Sequence, residues 1–141
     1  MEVAHAVFHR ALVRAGFVVA TVELFERHVG VPLHLRKVEY SLLLLLLANG
    51  ALSPKRVGRA LALSPPNLTV LLDRMQERGL IRRERSLIDG RSQNIVLADA
   101  GQRLARAGAA LAAKMESELD ERLSRAERLM LIELLRKVAG Q

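Results

Sequence analysis

Residues 52–81 read LSPKRVGRALALSPPNLTVLLDRMQERGLI, and this stretch decides the fold. Ser53 and Ser64 are each followed by proline, which is typical of a helix start, because serine can cap free amides and proline tolerates the first helical position. The first of the two helices is predicted to end near Leu61. The second is predicted to end at Gly79, since glycine suits the residue after a helix. Two capped helices separated by a short turn are therefore expected.

A β-hairpin is predicted directly after the second helix. Its first strand begins at Leu80 and continues through the basic residues 82–85, and its second strand covers residues 95–97. The pair Asp89-Gly90 between them is a turn signal. A short helix, a turn, a second helix and a hairpin form a winged helix-turn-helix. In such a unit the second helix can enter the DNA major groove, roughly 12 Å wide, with the hairpin, or wing, beside it.

Helical patterns precede this unit. Apolar residues recur at helical spacing from Glu2 to Val29, and the sequence Gly30-Val31-Pro32 is predicted to stop the helix. Residues 35–48 are so rich in leucine that they predict a core helix buried nearly all round.

Two more helices are predicted after the hairpin. The first covers residues 99–120, and Asp99 is expected to cap it because Ala98 has no polar side chain. The last helix is opened by Ser124 and Glu127, which have the spacing of a capping box.

The resulting fold class is mainly α with a small β-hairpin wing: a winged helix-turn-helix with a helical dimerisation region from both termini. The predicted domains are an N-terminal dimerisation helix (1–34), the winged helix-turn-helix (35–98) and C-terminal dimerisation helices (99–141). The outer helices are more apolar than one small core can bury, so a second copy of the chain is expected to cover them.

Composition narrows the class of protein. The chain has 141 residues, of which 50% are hydrophobic and 26% are charged, and it has no cysteine. Such a composition is typical of one globular domain, and the lack of cysteine excludes disulfides, thiolate catalysis and cysteine-based zinc sites. No apolar run reaches the roughly 18 residues of a membrane helix, and no signal-peptide pattern is present. We expect a cytoplasmic protein that does not enter the membrane.

The net charge of +7 is concentrated in the middle of the chain. Residues 53–103 hold ten basic and five acidic side chains, whereas residues 1–52 and 104–141 each have a net charge of +1. A cationic excess over the winged helix-turn-helix favours a polyanionic partner, and we expect double-stranded DNA.

The sequence resembles the MarR family of bacterial transcriptional regulators over nearly its whole length. The D-x-R element of the wing, ten residues after the R-G-L-I turn, is the most specific match. The resemblance implies a homodimer that acts on a palindromic operator, with repression as the expected outcome and release by a small aromatic or apolar ligand. The matching segments are LRKVEYSLL (35–43), LSPKRVGRALAL (52–63), LLDRMQERGLI (71–81), the wing Asp89-Gly90-Arg91 and LADAG (97–101).

The DNA contacts are predicted from the helical wheel of residues 65–78 and from the basic residues around it. Leu68, Leu71, Leu72 and Met75 form the face that packs on the core, so bases are expected to meet the opposite face near its N-terminus. The resemblance adds Arg91 as the wing arginine of the minor groove and Asp89 as its local partner. The remaining candidates are Ser64, Pro66, Asn67, Thr69 and Val70 on the helix, with Lys55, Arg56, Arg74, Arg83 and Arg85 for phosphates.

The family analogy also places an effector pocket near Phe17, His28 and Tyr40. A metal-responsive regulator is an alternative, because His5 and His9 have the i, i+4 spacing that can hold one metal ion. A winged helix used for protein–protein interaction or for RNA is another alternative. No phosphate-binding loop or nucleophile motif is present, so we predict no enzymatic activity, no catalytic residues, no metal and no cofactor.

Overall fold

The computed structural model describes residues 22–88 and 90–138. Its elements follow the predicted order. Residues 22–25 are helical and continue into a π-helical turn at Glu26–Gly30. The remaining elements are α1 (Val31–Leu33), α2 (Lys37–Asn49), α3 (Pro54–Ala60), α4 (Pro65–Glu77), β1 (Ile81–Arg85), β2 (Gln93–Leu97), α5 (Asp99–Arg122) and α6 (Arg125–Val138).

The helical backbone ends at Leu33, beside the predicted stop at Gly30-Val31-Pro32, and His34 follows in the left-handed conformation. The π-helical turn changes the register: the N–H of Val31 donates to the carbonyl of Glu26, five residues back. Pro32 therefore lies in the first turn of a new short helix, where its missing N–H leaves no carbonyl unpaired.

Three helix ends share one left-handed turn, at His34, Ala62 and Gly79, with φ of 51°, 52° and 69°. In each, the N–H of the following leucine donates to the carbonyl five residues back, at 2.9, 2.9 and 3.0 Å. These are Schellman motifs, which satisfy the last carbonyls of a helix. The prediction for Gly79 is confirmed. The other two carry no sequence signal, because alanine and histidine rarely adopt positive φ.

The hydrophobic core lies between α2, α4 and the sheet. Leu42, Leu43 and Leu46 of α2 are buried together with Met75 of α4 and Ile95 of β2. The expectation that α2 is buried nearly all round is only partly correct, because some positions are half-buried and Ser41 and Ala48 are exposed.

The sheet contains the predicted hairpin and one addition. Strands β1 and β2 pair antiparallel with Ile81 opposite Leu97. Leu52, just before α3, forms an isolated bridge with Ile95, through hydrogen bonds of 3.1 and 2.7 Å. A single bridging residue has no strand periodicity, so the sequence did not predict it.

The predicted caps have mixed outcomes. The hydroxyl of Ser53 accepts from the N–H of Arg56 at 3.3 Å, as predicted. Ser64 occupies the cap position of α4, but its hydroxyl accepts no cap hydrogen bond, although Asn67 keeps an N–H at the position that Arg56 holds in α3. The capping role of Asp99 is wrong, since Ala98 occupies the cap position of α5 and no side chain caps it.

The capping box of α6 is confirmed. The N–H of Ser124 donates to Oε2 of Glu127 at 2.8 Å, and the N–H of Glu127 donates to the hydroxyl of Ser124 at 3.3 Å. The backbone N–H and the hydroxyl of Ser124 both donate to Oε2 of Glu127, each at 2.8 Å, and these two hydrogen bonds to the charged form lower the pKa of Glu127 from its ordinary value of 4.5. Across the described ranges, every helix is too short or too polar to span a bilayer.

A glycine in α5 sets how closely this helix approaches the winged helix-turn-helix. A Cβ at Gly101 would overlap the carbonyl oxygen of Leu80. That carbonyl also accepts the N–H of Ala98 at 3.0 Å, so the backbone of Leu80 has little freedom to move away. Gly101 lies in the LADAG segment of the family resemblance.

We predict that Gly101→Ala lowers the free energy of unfolding by about 1–3 kcal/mol, because the added methyl group must displace backbone. Urea denaturation followed by circular dichroism measures this. Gly90→Ala is the matched control, since a Cβ there meets nothing within 4 Å. Equal effects of the two substitutions would contradict the close approach of α5 to Leu80.

Candidate nucleic-acid interface

Helix α4 presents one buried and one exposed face, as the helical wheel predicts. Leu68, Leu71, Leu72 and Met75 are buried, which confirms the predicted packing face. The opposite face is exposed at its N-terminal half, and the side chain of Val70 is 62% exposed. The exposed candidates on this face are Ser64, Pro66, Asn67, Thr69 and Val70. They form an uncharged patch of small and medium side chains, which we call the reading face.

An acidic side chain in the C-terminal half of α4 forms an ion pair with an arginine of the wing. Nη2 of Arg83, on β1, lies 2.6 Å from Oδ1 of Asp73, and its Nη1 donates to Oε1 of Gln76 at 2.8 Å. The sequence analysis assigned Arg83 to phosphate contact. The structure instead brings Arg83 and Asp73 together. The pair fixes the wing against α4.

A buried carboxylate holds α4 against the start of α2. Glu39 is 2% exposed, and its Oε2 lies 3.1 Å from Nη1 of Arg78. Its Oε1 lies 3.7 Å from Nη1 of Arg74. The backbone N–H of Arg36 donates to Oε2 at 2.9 Å, so the same carboxylate also closes the N-terminal turn of α2. Arg74, a candidate for phosphate contact, therefore forms an ion pair with the buried carboxylate of Glu39.

Arg78 extends this network to the end of α1. Its Nη2 donates to the carbonyl of His34 at 3.1 Å. Sequence reasoning missed both Glu39 and Arg78. A carboxylate within an apolar helix, three residues before the leucine run, is the signal that could have identified the network, because a buried charge needs partners.

We predict that Glu39→Ala lowers the free energy of unfolding by about 1.5–3 kcal/mol, because it removes charge-assisted hydrogen bonds from arginines that are only partly exposed. The matched control is Glu84→Ala, since Glu84 pairs at 3.0 Å with Arg82 while both side chains are more than half exposed. That loss is expected to be at most about 1 kcal/mol. Urea denaturation compares them, and an equal loss would contradict the role of burial.

Further cations surround the reading face. Lys55 and Arg56 are exposed on α3, Arg85 is exposed at the end of β1, and Arg91 is exposed after the wing tip. Asp89 lies outside the described residues. The reading face is thus flanked by cationic side chains on both the α3 and the wing side.

The candidate effector residues contact α5 at separate places. Nε2 of His28 lies 2.9 Å from Oε2 of Glu118, whereas the ring of Tyr40 packs where a Cβ at Gly108 would clash. Ten residues of α5 separate these contacts, or about 15 Å of helix. The ring of Tyr40 also lies against that of Phe25 in a tilted arrangement, with the ring centroids 5.7 Å apart. Phe17 and the candidate metal pair His5 and His9 lie outside the described residues.

Glu118 links α5 to the π-helical turn. The hydrogen bond with His28 lowers the pKa of Glu118 below its ordinary 4.5, and the charges of Arg27 and Arg122 act in the same direction. Arg27 lies at 3.2 Å and Arg122 at 2.9 Å from its Oε1. Glu118 is therefore ionised at neutral pH and binds three side chains.

Comparison with known proteins identifies this arrangement. Residues 30–92 match the MarR family. The transcriptional repressor CouR, in a structure bound to a 23-mer DNA duplex, is 35% identical with a TM-score of 0.75, over 88% of this chain and 89% of CouR. The chain belongs to the MarR family.

Two further relatives agree. The transcriptional regulator HosA from Escherichia coli O157:H7 is 26% identical over 120 residues, which are 82% of this chain and 89% of HosA. The PcaV transcriptional regulator from Streptomyces coelicolor, in complex with its natural ligand, is 26% identical with a TM-score of 0.73, over 94% of this chain and 89% of PcaV. The predicted resemblance is confirmed, and the protein is a MarR-family transcriptional regulator with a winged-helix fold.

Proposed function

We propose that this MarR-family protein is a homodimeric repressor that binds a palindromic operator in double-stranded DNA and is released by a small ligand. The observation that carries the proposal is the reading face of α4, which is uncharged, exposed and flanked by cations. The 35% identity with CouR, which has been captured on a DNA duplex, supports it.

Base contacts would come from the side chains of the reading face. The amide of Asn67 can donate to and accept from the major-groove edge of adenine, and Val70 suits the methyl group of thymine. The hydroxyl of Thr69 donates to the carbonyl of Pro65 at 3.0 Å, so its methyl group is the part left for a base. No arginine lies on this face, so we expect operator half-sites rich in A·T pairs.

Backbone contacts would position α4 on the duplex. We assign Lys55, Arg56 and Arg85 to phosphates, Arg91 to the minor groove and the hydroxyl of Ser64 to the phosphate nearest the start of α4. Arg74 and Arg83 are bound to carboxylates within the chain. To contact a phosphate, either arginine would have to share its charge between the phosphate and that carboxylate or break the ion pair. Asp89 is proposed to orient Arg91.

A second copy of the chain would cover α6. None of its described residues is buried, and Leu129, Leu134 and Leu135 are each more than half exposed. So many exposed leucines on one helix are typical of an interface. A two-fold dimer would set two α4 helices about 34 Å apart, which is one turn of DNA. This spacing accounts for a palindromic operator with half-sites about 10 bp apart.

We predict that light scattering finds twice the chain mass of 15.6 kDa. Substitution of Leu134→Glu with Leu135→Glu should shift the protein toward monomer, because two charges would be buried in the interface. Val70→Glu, at a similarly exposed position on α4, should remain a dimer. A wild-type mass of 15.6 kDa would refute the dimer.

DNA binding is tested with a duplex enriched from a randomised library, using fluorescence anisotropy over a series of salt concentrations. We expect Asn67→Ala to lose about 1–3 kcal/mol at particular base pairs, without a change in salt slope. Arg91→Ala should lower the slope by about 1 with only a modest loss of sequence discrimination. Equal, sequence-independent effects of both variants would contradict these roles. If the chain bound another protein but not DNA, and salt did not weaken that binding, the result would favour the protein-interaction alternative.

The effector is proposed to bind between the dimer helices and the winged helix-turn-helix, near Phe17, His28 and Tyr40. The structure of PcaV with its natural ligand supports a small-molecule effector. Since Tyr40 and His28 meet α5 at separate levels, a ligand touching both would have to extend along that helix. Under this proposal the protein acts on DNA in the cytoplasm and catalyses no reaction.

A further inference from the structure

The tip of the wing carries two aliphatic side chains that nothing in the proposed function uses. Leu87 is 104% exposed and Ile88 is 99% exposed, the highest values among the large hydrophobic side chains of the described residues. A single exposed aliphatic side chain is ordinary, but two adjacent ones at the end of a hairpin form a small apolar surface, which is an apolar point on the wing. We call this pair the wing tip.

Hydrogen bonds shape the loop that presents the wing tip. The N–H of Ser86 donates to the carbonyl of Ser92 at 2.8 Å and closes the base of the loop. The N–H of Ile88 donates to the hydroxyl of Ser86 at 3.3 Å. Strand β1 runs five residues, about 17 Å, from buried Ile81 to exposed Arg85 and carries this loop away from the core. The wing tip is therefore an apolar point at the end of a paired arm.

The charge around the wing tip indicates its partner. Exposed Arg85 lies on one side and exposed Arg91 on the other, and the sequence between them holds one acidic residue, Asp89, so residues 85–91 keep a net charge of +1. An apolar point flanked by cations matches a polyanion that has apolar surface between its charged edges. Duplex DNA has this property in the minor groove, where phosphates line the walls and stacked bases form the floor.

The position of the arm fits the same partner. Arg83 binds Asp73 and Gln76 of α4, so the wing and the reading face keep a fixed relation. When α4 enters a major groove, an arm attached to its C-terminal half extends toward the neighbouring minor groove.

We infer that Leu87 and Ile88 form an apolar wedge that enters the minor groove beside each half-site, partly unstacks one base step and bends the duplex. This inference rests on the proposed function. Aliphatic wedges in the minor groove kink DNA by about 20–90° toward the major groove. Pyrimidine–purine steps such as TA and CA unstack most easily, so the wing tip would give a preference for such a step outside the bases read by α4.

The experiment compares the wild type with the double variant Leu87→Ser, Ile88→Ser on the duplex enriched from a randomised library. Circularly permuted fragments report the bend by gel mobility. The double variant should lose most of the bend, bind about tenfold more weakly and lose the preference for a flanking TA or CA step. Its salt slope should equal that of the wild type, because no charge is removed.

Two control variants separate the wedge from the charge and from the fold. Arg85→Ala should lower the salt slope by about 1 and keep the bend. The double variant Leu87→Met, Ile88→Met should also keep the bend, since methionine is an effective wedge. All variants should unfold at the wild-type temperature, because the substituted side chains are exposed.

Three other outcomes would refute the wedge, the proposed function or both. An unchanged bend and step preference in the serine variant would refute the wedge while leaving the DNA-binding function in place. A serine variant with a smaller mass than the wild type by light scattering would show that the wing tip covers another copy of the chain, which also refutes the wedge. A wild type that binds no duplex would refute the proposed function, and the wedge with it.

Discussion

The position of the reading face depends on one buried carboxylate. Glu39 accepts hydrogen bonds from the backbone of Arg36 and from Arg78 and forms an ion pair with Arg74 at 3.7 Å, so one side chain joins the start of α2 to the second half of α4. A buried charge is unfavourable unless such partners surround it, and satisfying them leaves few other relative positions for the two helices. The network therefore determines where α4 lies while the apolar contacts of Leu71 and Leu72 supply most of the attraction.

A second ion pair extends this rigidity to the wing. Arg83 reaches from β1 to Asp73 and Gln76, and it neutralises the acidic half of α4 that would otherwise oppose a phosphate backbone. The wing is thus joined to α4 by side-chain contacts as well as by the chain between them. Helix α5 contacts the same unit through the close approach of Gly101 to Leu80, which connects the proposed dimer region to the element that carries the reading face.

A second connection between α5 and α4 runs through the π-helical turn, and a ligand would act on it. Glu118 of α5 binds Arg27 and His28 of the π-helical turn, and the helix that follows this turn ends at His34, whose carbonyl accepts from Arg78. A molecule that changed the packing of α5 against the π-helical turn would therefore alter a segment bonded directly to α4. The connection runs through specific hydrogen bonds and ion pairs, so it can adopt alternative arrangements without loss of the apolar core.

The sequence by itself determined the order of elements, the buried face of α4, the turn at Gly79, the capping box of α6 and the family, because these follow from local periodicity, capping and turn chemistry. It missed the π-helical turn before Pro32 and the lack of a cap hydrogen bond at Ser64, and it wrongly gave Asp99 the cap position that Ala98 occupies. Only the tertiary structure decided that Arg83 meets Asp73, that Arg74 and Arg78 meet Glu39 and that Leu52 bridges Ile95. These contacts join residues distant in the chain, and no local pattern specifies which charge or which strand residue will be the partner.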